Sequence, residues 1–138
     1  MMEAPECAAD ASFRRTYRGR TDTLNVARLQ LQSWLSDANP LATSPDALLV
    51  LSELASNTIE SGAPTFSVRA SLSDATLSIT VSNPTVGDVP SPDSWGPDDV
   101  LALQGRGLAI VQALAEEVTV IQAEGTTHVT AKLNVIAL

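Results

Sequence analysis

One stretch of this chain constrains its fold more than any other. Thr65-Phe66-Ser67-Val68-Arg69-Ala70-Ser71-Leu72 and Thr76-Leu77-Ser78-Ile79-Thr80-Val81 alternate polar with apolar residues, and only Ser73-Asp74-Ala75 separates them. A period of two sends every apolar side chain to one face and every polar one to the other. So short a link leaves antiparallel neighbours, a hairpin with one wet face. The dry face of such a sheet needs a second layer.

The second layer is written just upstream. From Thr21, Leu24, Arg28, Leu31 and Leu35 recur at helical spacing until Asn39-Pro40 stops the pattern. Ser44 is an N-cap, Pro45 suits a first helical position, and Leu48, Leu51, Ala55 and Ile59 make an apolar stripe that Gly62 closes. Before these helices, Ser12 to Arg18 reads as a short edge strand ended by Gly19. After the hairpin, the segment from Pro84 to Gln104 holds four prolines, two glycines and four aspartates but no basic residue. It reads as a long loop in which residues 97–103 form a short helix with acids on its first turn. Gly105-Arg106-Gly107 then leads into a helix from Leu108 to Glu117, with Leu108, Val111 and Leu114 or Ala115 inward. Val118 to Gln122 and Thr127 to Val135 form a second hairpin around residues 123–126. The expected fold class is therefore α+β, a two-layer sandwich of a mixed, mostly antiparallel sheet with helices on one face. It forms one domain over residues 13–138, behind a polar tail at residues 1–12.

Charge narrows the partners. The 138 residues carry 8 Lys and Arg against 16 Asp and Glu, a net charge of −8, and five of the eight basic residues lie in the first 28 positions. So acidic a body repels phosphate backbones and anionic membranes, while a basic protein surface suits it. Cys7 is the sole cysteine, which excludes an intrachain disulfide and a cysteine-based zinc site. No apolar run has the length of a membrane span, and the first residues lack the pattern of a signal peptide, so the expected location is the cytoplasm.

Four short polar stretches can carry chemistry. Glu53 and Asn57 stand four apart, one above the other on a helix face. A carboxylate so placed can take a proton, and a carboxamide can give its oxygen to a hard cation such as Mg²⁺. Alone, the pair reads more simply as a solvated helix face. Gly105-Arg106-Gly107-Leu108 puts glycines and a guanidinium at a helix start, where free N–H groups attract anions; a packing turn is an equal reading. Asn83, with Gly87 four residues on, opens the long loop, and Asn-Pro by itself is turn chemistry. Gly125-Thr126-Thr127 suits any hairpin entry. Trp95 in the loop and His128, the sole histidine, carry plain surface or packing roles.

In their order and on this succession of elements, the four stretches resemble the GHKL ATPase superfamily, or Bergerat fold. Within it they resemble the stand-alone anti-sigma-factor serine kinases, over residues 13–135. The resemblance implies binding of ATP and Mg²⁺, with Glu53 catalytic and Asn57 the metal ligand in Glu-Leu-Ala-Ser-Asn. It also implies phosphate binding by Gly105, Arg106, Gly107 and Leu108 after a lid at about residues 84–104. Asn83 and Gly87 would form the first glycine box, and Thr126 and Thr127 would lie toward the adenine. The implied partners are a sigma factor and a STAS-type antagonist whose serine or threonine receives the phosphoryl group, and a homodimer is implied. This chain departs from the Asp-x-Gly-x-Gly of that box: Asn83 replaces the adenine-reading Asp and Thr85 the first Gly. An amide both accepts and donates, so weaker or less selective purine binding is expected. The alternative is a non-catalytic regulatory module that uses nucleotide as a switch, or has lost it. A plain ATP hydrolase subunit would call for transducer domains beyond this length.

Overall fold

The computed structural model describes residues 11–39, 45–73, 75–85 and 105–135. The elements run β1 (Ala11–Arg18), α1 (Thr21–Ala38), α2 (Pro45–Glu60), β2 (Thr65–Ser73), β3 (Thr76–Pro84), α3 (Gly105–Leu114), β4 (Glu117–Ala123) and β5 (Thr126–Asn134). The five strands form one sheet in the order β1-β2-β3-β5-β4, and all four pairings are antiparallel. Helices and sheet make the α+β two-layer architecture.

Alternation decides which face of the sheet is dry. Phe66, Val68, Ala70 and Leu72 on β2, Leu77, Ile79 and Val81 on β3, and Val129, Ala131 and Leu133 on β5 are buried. They join helix residues in a single core. Phe13 and Tyr17 bring β1 into it. The Phe13 ring lies 5.8 Å from Trp34 of α1, and Tyr17 stacks on Phe66 at 5.3 Å while its hydroxyl donates to Gln30 Oε1 at 2.6 Å.

Each helix follows its pattern with a shift in detail. On α1 the buried residues are Ala27, Leu31 and Leu35, spaced by four, whereas Arg28 is exposed and Leu24 half-buried. A charged head stays in water when a small neighbour can take the inward place. On α2 the buried stripe is Ala47, Val50, Leu51, Leu54, Ala55 and Thr58. Leu48 and Ile59, expected inside, flank it half-buried, because two helices and a sheet need a broader apolar stripe than one row supplies. Helix α3 begins at Gly105 and ends at Leu114, earlier at both ends than expected. The Glu116 N–H already bonds the Lys132 carbonyl at 2.8 Å, so the strand takes over there.

Between β1 and α1, the Gly19 N–H bonds the Pro64 carbonyl at 2.8 Å, and a side chain at residue 19 would collide with the carbonyl of Ala63. Only glycine allows so close an approach of two backbones. That contact anchors the end of β1 beside the start of β2.

Candidate functional site

Glu53 and Asn57 lie on one side of α2, next to its buried stripe, and both are half-buried. Partial burial pushes the Glu53 carboxyl above the ordinary glutamate range, and the charge of Glu60, two turns on, pushes the same way. This suits a group that takes up a proton.

Asn57 is the sharper observation. Its side-chain oxygen is buried and has no hydrogen-bond partner among the described residues. Buried polar atoms are nearly always paired, and an orphaned acceptor costs free energy unless something occupies it. A neutral amide oxygen is a hard ligand of the kind Mg²⁺ takes, usually with waters and substrate phosphates completing the shell. Among the described residues no three His, Cys, Asp or Glu gather into a metal site. An ion held through one amide and phosphate oxygens needs no such cluster, and Asn57 fits that arrangement.

The residue after Asn57 ties the helix to the sheet. Thr58 is buried, and its hydroxyl lies 3.2 Å from both the Leu54 carbonyl and Asn83 Oδ1. At the end of β3, Asn83 Nδ2 donates to the Pro84 carbonyl at 2.7 Å. The amide is therefore held at both ends, its oxygen toward α2, with one N–H and one acceptor position left over. Flipping it would set its oxygen against the Pro84 carbonyl.

Across the sheet Asn83 pairs with Thr127, and Pro84 with Thr126. Thr127 is only 1% exposed, and its hydroxyl meets that of Thr85 at 2.8 Å and accepts from Gln122 Nε2 at 3.3 Å. The Thr85 N–H bonds the Gly125 carbonyl at 2.8 Å, so the tip of the β4–β5 hairpin is stitched to the exit of β3. Glu124 and Gly125 at that tip have φ of 52° and 77°. These are the angles of a two-residue turn that twists with the strands.

Helix α3 packs against α2, and Gly105, Arg106 and Gly107 form its first turn with Leu108 buried behind them. The structure thus links Asn57, Asn83 and Thr127 through α2, β3 and β5, and sets the helix that starts at Gly105 beside α2. Gly87, Trp95, the remainder of the expected lid from Val86 to Gln104 and its short helix at 97–103 lie outside the described residues. Sequence reasoning did not single out Thr58 or Gln122, and it noted Thr85 only as the replacement of a glycine. Thr58 left a trace, being a polar residue in the inward row four after Leu54, where it needs a partner.

The family model for the histidine kinase-like ATPase domain matches residues 18–133, and the chain belongs to that family. Among solved structures, the crystal structure of the RsbU and RsbW domains of Rv1364c from Mycobacterium tuberculosis superimposes with a TM-score of 0.68 at 20% identity. The match covers 93% of this chain and 33% of that one, so the chain spans about a third of the length of that neighbour. At this identity the likeness is one of fold. No curated protein matches the chain in sequence.

Proposed function

We propose that this protein is an ATP-dependent serine/threonine kinase of the anti-sigma-factor type, acting on a STAS-type antagonist and binding a sigma factor. The single observation that carries the reading is the orphaned, buried oxygen of Asn57, one turn from a carboxylate with a raised pKa.

ATP with Mg²⁺ would supply an activated phosphoryl group and neutralise its charge. Asn57 Oδ1 would hold the ion. The N–H groups of the first turn of α3 at Gly105, Arg106, Gly107 and Leu108 would receive phosphate oxygens, as helix starts do. Asn83, held by Thr58 and Pro84, would offer its remaining acceptor and N–H to the adenine edge, with Thr126, Thr127 and Gly87 around it. An acceptor beside an N–H is what the exocyclic amine and ring nitrogen of adenine call for, so Asn83 can serve ATP despite the missing Asp. Glu53 would accept the proton of the partner's hydroxyl as the oxygen attacks phosphorus. The acidic body complements a basic sigma-factor surface. No helix among the described residues is long and apolar enough to cross a membrane, and we place the activity in the cytoplasm, where sigma factors work.

The test is direct. The protein is incubated with Mg²⁺, γ-labelled ATP and a candidate STAS domain, beside Glu53→Gln. Label transfer lost in the variant supports the kinase. Nucleotide binding without transfer to any STAS partner moves the assignment to a nucleotide switch, a reading that the substitutions at Asn83 and Thr85 favour. Absence of binding by calorimetry removes both.

A further inference from the structure

The face of the sheet turned away from the helices is rich in hydroxyls, and Arg14 and Arg69 stand among them. Arg14 of β1 and Arg69 of β2 are exposed and stand directly opposite each other in the strand register. Adjacent strands are about 4.8 Å apart, so the register holds two cations side by side, and like charges directly opposed weaken a sheet. Among the described residues no carboxylate offsets this: the ion pairs there join Arg20 to Asp22 and Lys132 to Glu117. Arg69 is also one of only three basic residues after Arg28, in a chain of net charge −8.

Arg14 and Arg69 line an open cavity of about 340 Å³ together with Ser12, Ser71, Ser78 and Thr80. Ser12, Ser71 and Ser78 form one row across β1, β2 and β3, and Arg14, Arg69 and Thr80 form the next. The Thr80 hydroxyl is engaged with that of Thr130 at 2.7 Å, whereas the three serine hydroxyls make no hydrogen bond among the described residues. Cations without counter-ions, beside idle donors in a concave site, describe a receptor for an anion.

We propose that this cavity binds a phosphate-type oxyanion, free or as a small monoester. It is separate from the Glu53 and Asn57 side, because Arg14 and Arg69 alternate with the buried Phe13, Val68 and Ala70 and so project from the opposite face. Two guanidinium forks favour carboxylates and phosphates alike. A second row of hydroxyl donors, two residues further along the same three strands, reaches oxygens outside a carboxylate plane, as a tetrahedral anion presents. The bound anion would also cancel the repulsion between the arginines.

The experiment is a titration of the full chain followed by amide NMR, with inorganic phosphate, O-phosphoserine and acetate at matched ionic strength. Phosphate is expected to shift the amides of residues 12–14, 69–71 and 78–80 to saturation. Acetate is expected to leave them unsaturated. Arg14→Gln and Arg69→Gln should each weaken phosphate by about tenfold or more, the loss of one charge-assisted bidentate contact. Saturation by O-phosphoserine as well assigns the site to a monoester, and its exclusion to the free ion. Phosphate affinity at these amides that is unchanged in both variants overturns the proposal, as does acetate binding as tightly as phosphate, or movement confined to the start of α3. Both arginines are exposed, so the variants should keep the remaining spectrum. In chloride Arg69→Gln should melt no lower than the parent, because it removes one of two opposed cations.

Discussion

The Thr58 hydroxyl on α2 lies 3.2 Å from the side-chain oxygen of Asn83 on β3, so a residue adjacent to Asn57 tethers an amide 25 positions away in sequence. With the bond from Asn83 Nδ2 to the Pro84 carbonyl, this leaves the amide one way to face. Purine choice in the proposed site therefore depends on a side chain that need not touch the purine.

Thr58→Val keeps the shape and removes the donor. The loss of one partly buried hydrogen bond should lower stability by about 1 kcal/mol in urea unfolding. The amide then turns more freely, so the ratio of ATP to GTP affinity should fall, with ATP itself weakened less than tenfold, or less than about 1.4 kcal/mol. An unchanged ratio would show that Asn83 does not read the base.

Asn57→Ala separates stability from ligand binding. The substitution removes an unpaired buried acceptor and improves helix propensity by about 0.5 kcal/mol, so the free protein should be as stable as the parent or more so. Nucleotide affinity measured with Mg²⁺ should drop at least about tenfold, while affinity measured in EDTA should not change. A clear loss of stability in the free protein would instead mean that the oxygen has a structural partner.

Most of the fold is legible in the sequence because its signals are local. The alternation over 65–81 dictates a one-sided hairpin, and Pro45 and Gly62 bracket α2 whatever surrounds it, while Ser44, expected as its cap, lies outside the described residues. The shifts come from tertiary packing. Arg28 has the right spacing to face inward, but Ala27 is small enough for α1 to lie close, and periodicity alone does not weigh size against charge. Helix α3 ends at Leu114, short of the Glu117 that periodicity suggests, because the hydrogen bond from Glu116 to Lys132 joins residues that only the folded sheet brings together. In the candidate site, Glu53, Asn57 and Asn83 stand out by residue type and spacing. Thr58 and Gln122 do not, since their part is to hold Asn83 and Thr127 through contacts between elements, which no spacing along the chain encodes.

The hairpin tip offers a stabilising change. Glu124 has a positive φ of 52°, a region where a side chain such as Glu is strained and Asn is tolerated, and Gly125 follows at 77°. Glu124→Asn should raise stability by about 0.5–1 kcal/mol in thermal or denaturant melts. Because the Gly125 carbonyl receives the Thr85 N–H, Gly125→Ala should act in the opposite sense and also disturb the exit of β3. A loss of nucleotide affinity in Gly125→Ala that Glu124→Asn does not share would connect the tip to the site.

Glu53 makes the last prediction, and its sign follows from its surroundings. Burial first, and the Glu60 charge second, raise its folded-state pKa, so between the ordinary glutamate value and the raised one the folded chain holds more protons than the unfolded chain. Stability from this group is thus fully present in acid and is lost as pH rises through that window. Glu53→Gln, neutral throughout, should match the parent at low pH and become the more stable of the two as pH climbs past the raised value, with the difference constant above it. If Glu53 accepts the serine proton, the parent's transfer rate should rise with pH over the same window. The variant should then be slower by about 10²- to 10⁴-fold, the usual contribution of a general base. Urea melts and transfer assays from pH 4 to 8 read both quantities on the same two proteins. A variant less stable than the parent at neutral pH would contradict the raised pKa, and one that transfers phosphate at the parent's rate would take the base role from Glu53.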